Sequence, residues 1–364
     1  MSTTSATHRV KAEIAARVKA KNNARDTMEE AKVSFTLAEP WFLDEDAEDT
    51  SHKVALSSLV PNWKRGHEDV MVTVFMQSDY PEHVRVHIPE VNKNYRPNLK
   101  ALSELAYALE KTDTNILLTG LPSVGKSSLV AYYCAITNRP LYRFNYNGTM
   151  DSSSILGTIS ASAGSTTWHD GFLTEGIQVE NAVLLHDEPM SAPPEVMLCL
   201  QNLFEKGGYL ILPDKPGSAE DKKIIPAMNV RHVLADNTRG NGDTTGKFVG
   251  TQPQNTATLD RIGSFIQVDF LEPKDEESML KATYPSATPK LLAAMVRVAN
   301  LCRTAYVNGD LTVVMSARVL FSWVQHSLNL KDYDKGLEIA YLNRFDNPSE
   351  VEAVKGMMVS VFGK

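Results

Sequence analysis

Gly120-Leu121-Pro122-Ser123-Val124-Gly125-Lys126-Ser127 fits the pattern G-x-x-x-x-G-K-[ST], and the residues on either side decide how it folds. The apolar run Asn115-Ile116-Leu117-Leu118-Thr119 predicts a buried parallel strand, and Ser128-Leu129-Val130-Ala131-Tyr132-Tyr133 predicts the first turns of a helix. In that order the glycines let backbone N–H groups close around phosphates at a helix N-terminus, where the dipole favours negative charge. Residues 120–128 are therefore expected to cradle a nucleoside triphosphate, with Lys126 reaching the β- and γ-phosphates and the Ser127 hydroxyl on Mg²⁺.

The rest of the composition narrows the class. A chain of 364 residues holds about two or three domains and at least one large core. Its 43% hydrophobic and 22% charged residues are ordinary globular values, and its apolar runs fall short of the roughly 18 residues a membrane span needs. Cys134, Cys199 and Cys302 are isolated, which argues for a reducing cytoplasm without a disulfide or zinc framework. A net charge of −7 argues against non-specific nucleic-acid binding as the main activity, although a local basic groove is left open.

Periodicity divides the chain. Residues 1–69 are expected to form an N-terminal helical and linker extension: Val10, Ile14 and Val18 make a thin stripe on a basic helix, either a docking arm or a solvated one, and Asp44–Asp49 is an acidic linker. Residues 70–97 predict a β-hairpin lead-in, from the alternation in Val70–Met76 and Val84–Ile88 around the turn-rich Ser78–Glu82. Over residues 98–272 strand-like runs at Leu141–Asn145, Ala182–His186, Arg231–Ala235 and Ser264–Val268 alternate with helical stretches, as in a parallel α/β nucleotide-binding domain. Residues 273–364 are helical throughout and are expected to form a small all-helical lid domain.

Several polar residues fall where such a domain does chemistry. Asp187 and Glu188 end an apolar strand; Asp187 is suited to the Mg²⁺ shell and Glu188 to activating a water, although a solvated strand end has the same composition. His186 before them is either a satisfied core histidine or a contact of that water. Asn237 ends another strand with an amide able to position water, which is also plain turn chemistry. Arg261 precedes the last strand and suits a neighbouring subunit's γ-phosphate, whereas Arg318 begins a lid helix and suits closure onto the same nucleotide. Either arginine on its own reads equally as a surface charge.

Together these residues resemble the AAA+ ATPases, in particular the MoxR branch and its CobS-like members, the subunits of aerobic cobaltochelatases. The resemblance runs from about His87 to the end of the chain. It is carried by Asn237-Thr238-Arg239-Gly240-Asn241-Gly242-Asp243-Thr244-Thr245-Gly246 with Gly250-Thr251-Gln252 and Leu259-Asp260-Arg261, by Val86–Glu90 with Tyr95-Arg96, and by Asp170–Leu173. It implies that Lys126 and Ser127 are Walker A, Asp187 and Glu188 Walker B, Asn237 sensor 1, Arg261 the arginine finger and Arg318 sensor 2. It further implies ATP as the nucleotide and a homo-oligomer, a hexameric ring, acting on a von Willebrand-type or other client protein; composition argues against a membrane, and the acidic balance disfavours nucleic acid as a partner. A nucleic-acid translocase and a non-hydrolysing structural ring are the competing classes. Gly207–Leu212 and Lys223–Ile225 fit the hairpin this clade places before sensor 1, and the small polar Gly157–Ser165 segment fits a flexible loop. Ser123-Val124 and His186 depart from the family's usual residues, and residues 1–69 lie outside the resemblance. Asp151-Ser152-Ser153-Ser154 lacks the last serine of a metal-adhesion motif, because position 155 is Ile.

Overall fold

A five-stranded sheet organises the molecule, and its central runs such as Asn115–Thr119 and Val183–Asp187 are buried on both faces. The computed structural model describes residues 52–363, apart from residues 62, 65, 163–164, 241, 243–250 and 252. The strands are β1 (His52–Ala55), β2 (Met71–Val74), β3 (Asn115–Thr119), β4 (Leu141–Asn145), β5 (Gly157–Ser162), β6 (Ser165–Asp170), β7 (Val183–Asp187), β8 (Leu210–Ile211), β9 (Lys223–Ile224), β10 (Arg231–Asp236) and β11 (Ile262–Gln267). The longer helices are α1 (Leu99–Lys111), α2 (Lys126–Thr137), α3 (Pro273–Thr283), α4 (Pro289–Asn308), α5 (Ala317–Leu330), α6 (Tyr333–Ala340) and α7 (Pro348–Phe362).

The main sheet has the order β11-β3-β10-β7-β4, and every pairing in it is parallel. Its register fixes where chemistry can occur. Thr119 sits opposite Asp236, Ala235 opposite Asp187, and Asp187 opposite Asn145, so the polar ends of four strands line one carboxyl edge. One face is covered by α1 and α2 with Leu102, Leu105, Leu129 and Tyr133 buried, the other by the segments around Leu173, Met190 and Phe204. Helix α1 starts where Asn98 accepts a hydrogen bond from the Ala101 N–H at 3.1 Å, a capping bond that contributes about 1 kcal/mol. From α3 onward the chain is helical, around a separate core that contains Trp323, Leu320, Met295 and Tyr341. The parallel sheet and the helical C-terminal region match the architecture expected from periodicity.

The expected hairpin over residues 70–97 is corrected. Strand β2 forms, but its antiparallel partner is β1, with Val54 opposite Val72. Glu82–Arg85 is helical instead, because Tyr80, Val84 and Ile88 recur every four residues and are all buried, whereas Val86, which alternation would place inside, is 74% exposed. The described residues of 52–69 are consequently part of the body: Leu56 and Val60 join the core under α1 together with Val70, and the compact unit runs from Thr50 to Lys364. The helix expected within residues 7–31 and the acidic linker at 44–49 lie outside the described residues.

The flexible loop expected at Gly157–Ser165 is also corrected, since β5 and β6 form an antiparallel pair with Ile159 opposite Trp168. Gly157 makes the tight entry possible: its φ is +138°, and a Cβ there would come within 2.5 Å of both the His169 carbonyl and the Trp168 ring. The hairpin expected ahead of Asn237 is present as β8 paired with β9.

Candidate functional site

The phosphate-loop pattern becomes a left-handed excursion between β3 and α2, with Ser123 at φ 60° and Gly125 at φ 100°. Gly120 has φ 152° and passes so close to the β11 side of the sheet that a Cβ would lie 2.2 Å from the Val268 carbonyl oxygen. The free N–H groups of the first turn of α2 therefore face outward at the carboxyl edge. Beside them is a cleft of about 550 Å³, the size of a nucleotide-scale ligand site.

Lys126 is folded back into the loop. Its Nζ donates to the Gly120 carbonyl at 2.9 Å, the Leu121 carbonyl at 3.2 Å and Asn237 Oδ1 at 2.7 Å. Burial pushes its ammonium down to about 8, against the opposing pull of Asp236, Asp187 and Glu188. Ser127 Oγ donates to Asp187, 3.0 Å from each carboxylate oxygen. Glu188, the next residue, takes an αL backbone with φ 57° and is exposed, while its N–H donates to the Ala235 carbonyl at 2.8 Å. That turn puts its carboxylate at the cleft's rim, and non-glycine αL residues cluster at working sites. Asp236 ties the two turns together, accepting from Thr238 N–H at 2.8 Å, Thr238 Oγ1 at 2.9 Å and Met190 N–H at 3.2 Å. Burial raises its carboxyl above the usual range, partly offset by those bonds and by Lys126.

The cleft brings together Pro122–Ser128, Asp187, Glu188, Asn237 and Arg318, with Gly120 and Leu121 supporting the loop from behind. It does not include Arg261. That residue precedes β11, at the amino edge opposite the loop, where its Nε donates to Glu205 at 3.0 Å and its Nη1 to the Ala257 carbonyl. Residues given no site role from sequence complete the walls. Arg143 and Asn145 come from β4, Tyr95 and Arg96 from the segment before α1, Phe270 from the segment leaving β11, and Glu276, Met279 and Phe321 from the helical region. Arg143 Nε donates to Asp187 Oδ2 at 2.9 Å, and its Nη2 bonds the same oxygen. The alternation of Leu141–Asn145 marks Arg143 and Asn145 as one exposed face, but only the parallel pairing with β7 turns that face toward Asp187.

His186 is a core residue. It is fully buried, its Nδ1 shares a proton with Tyr146 Oη at 2.7 Å, its Nε2 lies 3.1 Å from His232 Nδ1, and burial holds its imidazole down at about 3. Asp151 Oδ1 is occupied by Ser153 Oγ, Ser154 N–H and Ser154 Oγ, a local turn. Among the described residues no group of three or more His, Cys, Asp or Glu is placed to hold a metal ion, and no helix is long and apolar enough to cross a membrane.

Residues 115–247 match the AAA domain of the dynein-related subfamily. The chain carries an AAA+ domain. It resembles the aerobic cobaltochelatase subunit CobS of a Sinorhizobium species, with 27% identity over 290 residues, 76% of this chain and 82% of that one. An uncharacterized protein of Staphylococcus aureus strain NCTC 8325 is 22% identical over 268 residues, 72% of this chain and 96% of its own. Among solved structures, the RuvB Holliday junction branch migration motor of Thermotoga maritima overlays with a TM-score of 0.43 at 14% identity, covering 69% of this chain and 72% of that one. In AAA+ terms the loop at 120–127 follows the first strand of the main sheet, and the Asp187-Glu188 pair ends its third.

Proposed function

We propose that this AAA+ chain hydrolyses ATP with Mg²⁺ and works as a homo-oligomeric ring, a hexamer of the MoxR type, that remodels or activates a partner protein in the cytoplasm. The observation that carries hydrolysis is Glu188, an exposed carboxylate held at the cleft's rim by an αL turn, next to Asp187 and across from Lys126 and Asn237. The residues present suit ATP and Mg²⁺. A hydroxyl and a carboxylate 3.0 Å apart, Ser127 and Asp187, are the sparse hard-oxygen set that Mg²⁺ uses when phosphates supply other ligands. Ser127 and Asp187 would hold the metal, which would supply positive charge to offset that of the phosphates.

In this reading the backbone N–H groups of Ser123–Ser128 grip the phosphates, and Lys126 exchanges its bond to Asn237 for one to the γ-phosphate. Glu188 takes the proton of the attacking water, which Asn237 orients, and Arg318 closes from the helical side. Arg261, which lies at the opposite edge of its own sheet, serves the site of the adjacent subunit. The similarity to CobS supports a cobaltochelatase-type complex as one setting, and the partner in this reading is a von Willebrand-type or other client protein. The deciding experiment is ATP turnover per chain against chain concentration. Turnover that rises as the ring assembles supports the proposal, and turnover unchanged by dilution through disassembly refutes it.

A further inference from the structure

A buried guanidinium lies beneath the wall of the cleft that comes from the helical region. Arg303 on α4 is 5% exposed and grips Glu276 on α3, itself 1% exposed, with both arms: Nη1 donates to Oε2 at 2.8 Å and Nη2 to Oε1 at 2.7 Å. Its Nε donates to the Met315 carbonyl at 2.9 Å, and Nη1 reaches Asn300 Oδ1 at 3.0 Å. The flat face of the guanidinium lies 4.0 Å from the centre of the Phe270 ring. Two of these partners, Glu276 and Phe270, line the cleft itself. A third, Met315, immediately precedes Ser316, whose hydroxyl caps α5 by accepting from the Val319 N–H at 3.3 Å, and Arg318 is in the first turn of that helix.

Stability does not explain this arrangement well. Burying both charges forfeits their hydration, and well-packed apolar pairs of similar volume are often as stable or more so. What an Arg–carboxylate fork does supply is direction, because its donors are coplanar and fixed in angle. Here that direction is imposed at once on the segment leaving the sheet, on α3, and on the entry to α5. We propose that Arg303 is a positioning residue: it sets the start of α5 against the cleft and thereby places Arg318 over the bound nucleotide. The inference rests on the reading of Arg318 given above.

A double-mutant cycle on the full chain tests it, with the dissociation constant of a fluorescent ADP in Mg²⁺ as the readout and the melting temperature recorded alongside. Arg318→Ala is expected to weaken binding about tenfold, the loss of one charge-assisted bond. Replacing Arg303 and Glu276 together by Met is expected to weaken it by about fivefold to tenfold when Arg318 is present and less than about twofold in the Arg318→Ala background, without a lower melting temperature. Equal losses in both backgrounds, or no loss in either, overturn the inference. If Arg318→Ala binds as tightly as the parent while Lys126→Ala does not, the reading of Arg318 fails and the inference falls with it, but the nucleotide site stands. Arg303→Lys provides the same cycle if the double Met chain does not fold. It keeps a cation opposite Glu276 and leaves that cleft residue untouched, but loses the rigid fork and the bond to the Met315 carbonyl. The same criteria apply to it.

Discussion

Lowering the pH from 7 to 5 is expected to destabilise the sheet through two histidines that the fold keeps neutral. His186 on β7 and His232 on β10 are 0% and 6% exposed, their facing nitrogens 3.1 Å apart, and burial depresses both imidazoles, His186 to about 3. In the unfolded chain both return to about 6.5, so between that value and the folded ones the unfolded state binds more protons and stability is lost as the pH falls. At pH 5 the protonation of an unfolded histidine contributes about 2 kcal/mol, hence about 4 kcal/mol for the pair. The unfolded chain also begins to protonate its carboxylates near pH 5, and Glu110 adds to the loss because, against the cost of its burial, the Arg139 guanidinium holds its folded carboxyl low. The test is therefore a comparison. Urea unfolding at pH 7 and pH 5 should show that His232→Phe, although destabilised at pH 7 by the loss of a partner for His186, loses about 2 kcal/mol less on acidification than the parent. The two pH dependences coinciding would mean that His232 protonates without breaking the fold, and the reasoning would be wrong.

Three further outcomes follow from the cleft. Gly120→Ala places a methyl 2.2 Å from the Val268 carbonyl at a φ of 152°, so urea unfolding should show a loss of at least about 2 kcal/mol together with weaker nucleotide binding; parental stability would refute the close approach. Glu188→Gln should bind ATP as the parent does but turn it over about 10²- to 10⁴-fold more slowly, whereas Lys126→Ala should lose binding itself; equal turnover by Glu188→Gln removes it from the chemistry. Arg261→Ala breaks a pairing with Glu205, a residue whose side chain is 51% exposed, and should change stability by less than about 1 kcal/mol; yet turnover of the assembled form should drop by about 10³-fold or more, and an undiminished rate would show that Arg261 serves no neighbouring site.

Most of the cleft was legible along the chain because its residues belong to short segments with local causes. Gly120–Ser127 announces its own backbone, and Asp187, Glu188 and Asn237 come where apolar strands end, the place at which polar groups collect along one edge of a parallel sheet. Arg143 was not legible. Its exposed place on β4 is ordinary until β7 is paired beside it, and Asp187 is 44 residues away in sequence. Val84–Ile88 was misread because alternation and four-residue spacing coincide over so short a run, and burial of Tyr80, Val84 and Ile88 decides between them.

The sequence by itself determined the nucleotide loop, the five apolar strands and the helical C-terminal region, since each follows from hydrophobic period and from glycine and capping chemistry within about a dozen residues. Tertiary structure decided what depends on which elements become neighbours. Strand β2 takes β1 rather than the residues after it; Lys126 meets Asn237 from 111 residues away; Arg261 is left at the far edge of its own sheet; and Arg303 joins Glu276, Phe270 and Met315 beneath Arg318. Those contacts are chosen by the packing of complete faces and by the cost of burying charge without a partner, and neither is encoded in any one stretch of residues.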